Sequence, residues 1–244
     1  MFANIASRLT YTLLGAVFVL LGTFFIARVA DAATYYWVGG AGDGALYTTA
    51  DKWTTTPPGA CGNNVDAGTP GVADTINMDA DCDSPLTIPA STTITDLTLS
   101  NDYSGTVTSV TPLVVTGNIT IGTTGNLTLG AALDIGGNIS IGAGTITVTG
   151  NTATFNGAGT QTVNMGGTGA GHTLNNVVIA NTGTVSTSAA TTIDGTLTIN
   201  NGGKLDVSGD AFTVTGVFEN ANGGTLILDG DEVLTLTMDT NTGT

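Results

Sequence analysis

The sequence predicts an all-β protein built as a right-handed parallel β-solenoid, in which the chain coils about one axis and each strand pairs with strands of the neighbouring coils. Triplets of the type apolar–Thr/Ser–apolar, bracketed by Gly and Asn, occur as GNITIG at 117, GNLTLG at 125 and GNISIG at 137. The triplets recur at a distance of about 20 residues, which suits one coil. Good helix formers are rare, since Glu occurs only at 219 and 232.

The composition and the charge narrow the class of protein. Gly accounts for 36 of 244 residues. Thr, Val and Ile suit a pleated sheet, and Gly, Asn and Asp suit the turns between short strands. Four Lys and Arg stand against 19 Asp and Glu, so the surface cannot neutralise phosphates and we expect no nucleic-acid partner. A hydrophobic content of 41% excludes a disordered chain.

Residues 1–33 differ from the rest of the chain. Arg8 precedes an apolar stretch from Leu13 to Ile26, and the small-residue segment Ala30-Asp31-Ala32-Ala33 follows. The apolar stretch is shorter than the ~20 residues that a membrane-spanning helix needs. This pattern predicts a secretory signal peptide, cleaved after Ala32 or Ala33, and an extracellular or cell-surface location. An uncleaved N-terminal anchor is the alternative.

Residues 34–91 are predicted to be a cap region in front of the first coil. An even pair of cysteines, Cys61 and Cys82, predicts a disulfide in an exported chain. Aromatic side chains near the start of this segment suit the covering of an open first coil, although stacking on a sugar is an alternative role. These residues are Tyr35, Tyr36, Trp37, Tyr47 and Trp53.

Residues 92–244 are predicted to form the coils, as two copies of a longer unit, 92–171 and 172–244. The copies align Gly117 with Gly195 and Ile119 with Leu197. Within each copy the triplets predict coils of about 20 residues. The recurrences run from Ile119 to Ile139, from Leu129 to Val148 and from Val207 to Ile227. We expect the members of each pair to lie in neighbouring coils.

Several stretches resemble the repeat unit of bacterial β-strand-repeat surface proteins, which are similar in style to autotransporter passengers and filamentous-haemagglutinin-type adhesins. The stretches are TATFNGAGTQTV at 152, LNNVVIANTGTV at 174, TTIDGTLTINNGGKLDV at 191 and TVTGVFENANGGTLILDG at 213. The opening YYWVGGAGDG at 35 is similar to the Trp- and Gly-rich start of such proteins. The resemblance implies a right-handed β-helix at the cell surface or outside the cell, with a structural or adhesive role.

Two acidic clusters predict sites for Ca²⁺, with solvated acids as the alternative. Asp79, Asp81 and Asp83 alternate in NMDADCDSP, so they would share one face of a strand or one turn of a loop. The turn DGDE at 229–232 brings together Asp229, Asp231 and Glu232. We expect no other cofactor and no catalytic residue. The single histidine, His172, is expected in a surface turn.

These features predict a structural or adhesive rod without catalytic activity. Its expected partners are components of a cell surface or extracellular matrix, including glycans. At the C-terminal coil we expect either that the natural chain continues or that a second copy stacks on it. The first alternative is a carbohydrate-active β-helix, which would need a carboxylate pair such as Asp206 and Asp229 across a groove. The second alternative is an ice-binding protein, because Thr-x-Thr at 196, 213 and 235 recurs near the coil period. An unbroken Thr-x-Thr column would favour ice binding.

Overall fold

The computed structural model describes residues 32–39, 47–58, 61–62, 68–167, 169–207, 211–230 and 232–241, without the side chains of 50, 80 and 237–241. Residues 1–31 lie outside this range, so the signal peptide stays a prediction. Among the described residues, no helix is long and apolar enough to cross a membrane. Two short 3-10 turns, Ala50–Lys52 and Ala80–Cys82, accompany the strands. The strands are β1 (Thr34–Trp37), β2 (Trp53–Thr54), β3 (Thr75–Met78), β4 (Leu86–Ile88), β5 (Thr92–Ile94), β6 (Leu97–Leu99), β7 (Thr106–Ser109), β8 (Leu113–Val115), β9 (Ile119–Ile121), β10 (Asn126–Leu129), β11 (Leu133–Ile135), β12 (Ile139–Ile141), β13 (Thr145–Val148), β14 (Thr152–Phe155), β15 (Gln161–Asn164), β16 (His172–Leu174), β17 (Asn176–Ile179), β18 (Val185–Thr187), β19 (Thr191–Ile193), β20 (Leu197–Ile199), β21 (Lys204–Val207), β22 (Phe212–Asn220), β23 (Thr225–Leu228) and β24 (Leu234–Asn241).

The predicted fold is confirmed: the described residues form an all-β parallel solenoid of about seven turns, with coils of about 21 residues. Each coil carries strands on three faces. Face 1 is the sheet β2-β1-β3-β6-β9-β12-β15-β18-β21-β23. Face 2 stacks β4, β7, β10, β13, β16, β19 and the first half of β22, and face 3 stacks β5, β8, β11, β14, β17, β20 and the second half of β22. Both halves of β22 continue onto β24.

The N-terminal region joins the stack before residue 92, where the coils are predicted to begin. The strands β3 and β4 already pair in parallel with β6 and β7. Ahead of them β1 pairs in parallel with β3, whereas β2 runs antiparallel to β1. The antiparallel pair therefore ends the stack of face 1 at this side.

The triplets form strands because alternate side chains point inwards and outwards along a strand. In β9 the side chains of Ile119 and Ile121 are buried while Thr120 between them is exposed. The strand β12 repeats this arrangement with Ser140 at its centre. Full burial of an Ile or Leu side chain contributes about 1.5–3 kcal/mol, so the stacked triplets supply the stability of the interior.

The recurrences of the triplets match the strand register in two of three cases. Ile119 pairs with Ile139 on face 1, and Leu129 pairs with Val148 on face 2. Val207 and Ile227 also lie in neighbouring coils, but one position out of register, because Val207 pairs with Leu228. A slip of one position along a strand exchanges its inward and outward sides, so the register is set by the side chains that face the interior.

The longer repeat, from 92–171 to 172–244, does not correspond to a whole number of coils. Ile119 in β9 lies on face 1, whereas its counterpart Leu197 in β20 lies on face 3. The strand β20 is the eleventh after β9, and three strands make one coil. The second copy is therefore rotated by one face relative to the first. The repeating unit is therefore a single strand together with the turn that follows it. This unit occurs on more than one face of the solenoid.

One coil is longer than the triplet spacing predicts. On face 2, Ile146 pairs with His172, which lies 26 positions later in the chain. Gly166 and Gly171, between β15 and β16, have φ values of 71° and 88°, which residues with a side chain rarely adopt. Ile135 pairs with Phe155, 20 positions later, whereas Ile139 pairs with Val163, 24 positions later. Four of the additional positions are therefore inserted between β14 and β15 and two between β15 and β16, and the strands keep their parallel pairing.

A ladder of Asp and Asn side chains connects successive coils at the corner between faces 3 and 1. The main-chain N–H of Asn118 donates to Oδ1 of Asp96 at 2.6 Å. The N–H of Asn138 donates to Oδ1 of Asn118 at 2.9 Å, and the N–H of Thr162 donates to Oδ1 of Asn138 at 2.7 Å. Each side chain thus satisfies a backbone donor one coil further on, which explains the Gly-Asn pairs that precede the triplets.

Candidate functional site

The predicted aromatic cluster lies at the N-terminal end of the stack. The rings of Trp37 and Tyr47 contact Trp53 edge-on, with centroid distances of 5.0 and 5.5 Å. The side chains of Trp37 and Trp53 have no exposed surface. Nε1–H of Trp37 donates to the main-chain O of Ser84 at 3.1 Å, which ties β1 to the first coil. The enclosed indole rings offer no accessible face to a sugar.

The two tyrosines that precede Trp37 are placed differently from the tryptophans. Tyr35 is half-buried and contacts Trp53 at a centroid distance of 6.5 Å. Burial raises the pKa of its phenol, and the charge of Asp74 raises it further. Tyr36 is also half-buried and pairs with Asn77 on face 1. Sugar stacking therefore stays a prediction for these two rings alone.

The predicted disulfide between Cys61 and Cys82 is confirmed. Its Cα atoms are 4.9 Å apart, Cys82 is fully buried and Cys61 is exposed. The bond fastens the segment before β3 to the 3-10 turn Ala80–Cys82 at the start of the stack.

The first acidic cluster lies in a turn and not on one strand. Asp79 precedes the 3-10 turn Ala80–Cys82, Asp81 lies within it and Asp83 follows it. Oδ1 of Asp83 accepts a hydrogen bond from the N–H of Ser104 at 2.6 Å, so this carboxylate joins two coils. Within the described ranges, no three His, Cys, Asp or Glu side chains are grouped as a metal site.

In the second cluster, the carboxylate of Glu232 closes its own turn. Its oxygens accept hydrogen bonds from the main-chain N–H groups of Asp229 and, at 2.8 Å, of Gly230. The third member, Asp231, lies outside the described residues. Calcium binding at either cluster stays a prediction.

The carboxylates named for the carbohydrate-active alternative lie on neighbouring coils. Asp206 is an outward residue of β21 on face 1, and Asp229 directly follows β23, which pairs with β21. Asp206 pairs with Ile227 across the two strands. The pair thus lies along one face of the stack, and its use in catalysis stays a prediction.

The single histidine lies in a strand and not in a turn. His172 begins β16, opposite the buried Ile146, and is half-buried. Its Nδ1 lies 2.7 Å from the main-chain O of Met165. Because a carbonyl can only accept, Nδ1 carries the proton, and the ring holds the segment between β15 and β16 against the stack.

A buried amide pair occupies the corner between faces 3 and 1 beside β15. Gln161 and Asn181 are almost fully buried, and Nδ2 of Asn181 donates to Oε1 of Gln161. Nε2 of Gln161 donates to the main-chain O of Ile135 at 3.0 Å and of Gly137 at 2.6 Å. The two amides satisfy backbone groups of successive coils, so this site is structural.

On face 2 a threonine occupies the same outward position in each of eight successive strands, and every one is in register with the next. We call this set the threonine column. All eight side chains lie on the outward side and are half-buried or exposed. Its members are Thr87, Thr108, Thr128, Thr147, Thr173, Thr192, Thr213 and Thr235.

The column differs from the one that the Thr-x-Thr segments indicated. Thr213 and Thr235 pair with each other, as expected. Thr196 directly precedes β20 on face 3, so the third expected segment lies on another side of the stack. The column instead continues through threonines outside any of the three segments, beginning with Thr192.

The threonine column is specific to face 2. On face 3 the corresponding outward positions change in chemical type and include Val114, Asp134 and Glu219. On face 1 they include Asn77 and Asp206. The described strand segments of face 2, counting the first halves of β22 and β24, contain no Asp, Glu, Lys or Arg, although the whole chain has a formal net charge of −15.

A depression of about 190 Å³ lies beside the column at the long coil. Thr147 and Thr149 border it on one coil, and Thr173 and Asn175 border it on the next. Asp194 is the one carboxylate among the described residues of its wall. Inside the stack, a separate cavity of about 20 Å³ is lined by apolar side chains and two threonines.

Comparison with protein-family models, with curated proteins and with solved structures gave no match. The solenoid that the resemblance implied is therefore supported by the structure itself. The full threonine column was not predicted, although its signal is present in the chain: each threonine stands between two inward positions and recurs once per coil.

Proposed function

We propose that this protein is an extracellular rod with a structural or adhesive role at a cell surface. The observation that supports this most directly is the continuous parallel pairing of each face from the first coil to the last described one. Every coil bonds its neighbours through backbone ladders on three faces, and each adds about 4.8 Å to the length of the stack. Such a stack resists extension because its strands share one interior.

The corner chemistry supports the same role. The Asp and Asn ladder satisfies backbone donors with side chains from the preceding coil, and the disulfide fastens the N-terminal end. The outward Thr, Ser and Asn side chains stack without the repulsion that like charges would suffer at this spacing. These features stabilise a narrow body that can hold other groups away from a surface.

The experiment is protease treatment of intact cells that produce the full chain, followed by mass spectrometry of the released peptides. We expect peptides from the coils to be released before lysis. Peptides that appear only after lysis would contradict the cell-surface role. Protein found free in the medium would support the extracellular location and contradict attachment to the cell surface.

The carbohydrate-active alternative is tested on the same material. Purified protein is incubated with neutral and acidic polysaccharides, and new reducing ends are measured. We expect none. Turnover that disappears in Asp206→Asn would assign catalysis to face 1. Turnover that disappears in Asp194→Asn would instead assign the depression beside Thr147 and Thr173 as a hydrolytic site.

A further inference from the structure

We propose that the threonine column on face 2 binds the surface of ice. The column presents a hydroxyl and a methyl group at one position in each of eight successive strands, with the strand spacing of about 4.8 Å as its repeat. That spacing is close to a repeat of oxygen atoms in hexagonal ice. The proposal does not depend on the structural or adhesive role of the rod.

The preference of threonine for β-strands does not explain the column. All three faces are built from the same short strands, so strand propensity acts on each of them equally. Faces 1 and 3 nevertheless change residue type from coil to coil at the corresponding outward positions, as at Ser140 and Asp134. Threonine occupies the outward position in every coil on face 2 alone. We infer that the surface of face 2, and not the stability of the fold, requires it.

The hydroxyl groups of the column are available to an external partner. In the described parts of the chain, none of the eight makes a hydrogen bond to another side chain or to a carbonyl, whereas Thr124, outside the column, donates to the main-chain O of Tyr103 at 2.7 Å. The β-branched side chain restricts χ1, and the backbone ladder fixes each Cα. The array is thus ordered before a partner arrives, which lowers the entropic cost of binding a regular surface.

The array has a second row in part of the rod. In β7, β10 and β13 another outward row, Thr106, Asn126 and Thr145, lies beside the column in register. Oγ1 of Thr145 donates to Oδ1 of Asn126 at 2.5 Å, so the second row is itself ordered. This double-row part of face 2 offers a two-dimensional lattice of hydroxyl, amide and methyl groups.

The chemistry of face 2 selects ice over the other regular partners. Its described strand segments carry no carboxylate, ammonium or guanidinium group, and Asp194, which directly follows β19, is the one carboxylate among the described residues that line the depression beside the column. A single carboxylate is a weak attraction for a charged polymer. They also carry no Phe, Tyr or Trp on their outward side, and such rings are the usual platform for a sugar. A neutral, rigid array of hydroxyls and methyls is complementary to an ordered layer of water.

The test compares two variants of the full chain. Both replace one outward threonine by lysine, but on different faces of the solenoid. Thr128→Lys places a charge in the double-row part of face 2. Thr120→Lys makes the same change on face 1 of the same coil, and Thr120 is exposed. Far-UV circular dichroism and the melting temperature show whether each variant is folded. Thermal hysteresis and the shape of a single ice crystal are then measured.

We expect the unaltered chain and Thr120→Lys to shape ice and to produce thermal hysteresis, and folded Thr128→Lys to lose both. Absence of ice shaping by the unaltered chain would overturn the proposal, as would equal loss in the two variants or full activity in Thr128→Lys. Retention on insoluble neutral polysaccharide without any effect on ice would overturn it as well, and would assign face 2 to a glycan. If Thr128→Lys does not fold, Thr128→Val is used in its place, and an unchanged thermal hysteresis in both Thr128→Val and Thr147→Val would overturn the role of the hydroxyls.

Discussion

Thr147 lies directly beside Thr173 on face 2, although 26 positions separate them in the chain. Relative to a coil of 20 residues, four positions are added between β14 and β15 and two between β15 and β16, and the strands after each addition still pair in parallel. The fold therefore tolerates insertions at its corners.

Deletion of residues 167 and 168 should leave the solenoid folded. It removes as many residues as are added between β15 and β16, and the shortened coil would match the one that already joins Phe155 to its partner Ile179. Loop closure depends weakly on length, so we expect the free energy of unfolding to change by less than about 1 kcal/mol in urea titration. Deletion of 136–138, a corner between faces 3 and 1, is the control and should abolish cooperative unfolding. A non-cooperative unfolding transition in the first variant would contradict the prediction that the fold does not need the deleted residues.

Gly136 stands where two coils approach closely. A Cβ at this position would lie against the main-chain O of Thr116, inside van der Waals contact. Gly136→Ala should therefore destabilise the protein by about 1–3 kcal/mol, as overpacking does. Gly159→Ala is the matched control, because a Cβ there meets no atom within 4 Å. Equal melting temperatures for the two variants would show that the coils separate more easily than the geometry indicates.

The side-chain amide of Asn181 forms hydrogen bonds with three neighbouring residues. Its Nδ2 donates to the main-chain O of Gly159 at 2.9 Å and to Gln161, and its Oδ1 accepts from the N–H of Gly183. Asn181→Ala would leave these groups without a partner, at a cost of about 1–3 kcal/mol. The exposed Asn101 offers a control, for which Asn101→Ala should change the free energy of unfolding by less than about 0.5 kcal/mol. Denaturant titration of both variants measures the difference, and equal midpoints would contradict the structural role of the amide pair.

The disulfide between Cys61 and Cys82 closes a loop with a sequence separation of 21. Chain-entropy arguments give such a cross-link about 3 kcal/mol of stabilisation. The double variant Cys61→Ser/Cys82→Ser should therefore unfold at lower urea concentration than the oxidised chain, and addition of reductant should not change it further. Two free thiols in non-reduced protein would show that the bond does not form.

The fold was predictable from the sequence because the triplets encode it locally. The alternation in Ile119–Ile121 sets which side faces inwards, and the recurrence at Ile139 sets the coil length. The rotation of the second repeat copy could not be predicted, because a strand with its corner suits any face. Only the strand pairing reveals that Ile119 and Leu197 lie on different faces.

The candidate sites were less predictable than the fold. Hydrogen bonding of Asp83 to Ser104 depends on contacts between coils, which a linear pattern does not contain. The threonine column was hidden by the long coil, since a fixed period places Thr147 opposite the inserted segment and not opposite Thr173. The repeat pattern therefore predicted the buried residues but not the threonine column, because the coils differ in length.

Tyr103 makes the stability of the first coils sensitive to alkaline pH. Its ring is fully buried, and its hydroxyl donates to the main-chain O of Ser84 at 3.1 Å. Burial raises the pKa of this phenol above its ordinary value, and the charge of Asp83 raises it further. The folded state therefore holds the proton more strongly than the unfolded state. This contribution to stability is complete below the unfolded pKa of about 10 and is lost as pH rises through the folded pKa.

Tyr103→Phe removes both the hydrogen bond and the titration. At pH 7 the variant should be less stable by about 0.5–1.5 kcal/mol, the usual net value of such a bond. Above the ordinary phenol pKa the unaltered chain should lose stability more steeply than the variant, so the difference between them should shrink. Urea titrations of both proteins at a series of pH values from neutral to strongly alkaline measure this. Parallel curves across the series would contradict this, because they would mean that the phenol of Tyr103 has the same pKa in the folded and the unfolded state.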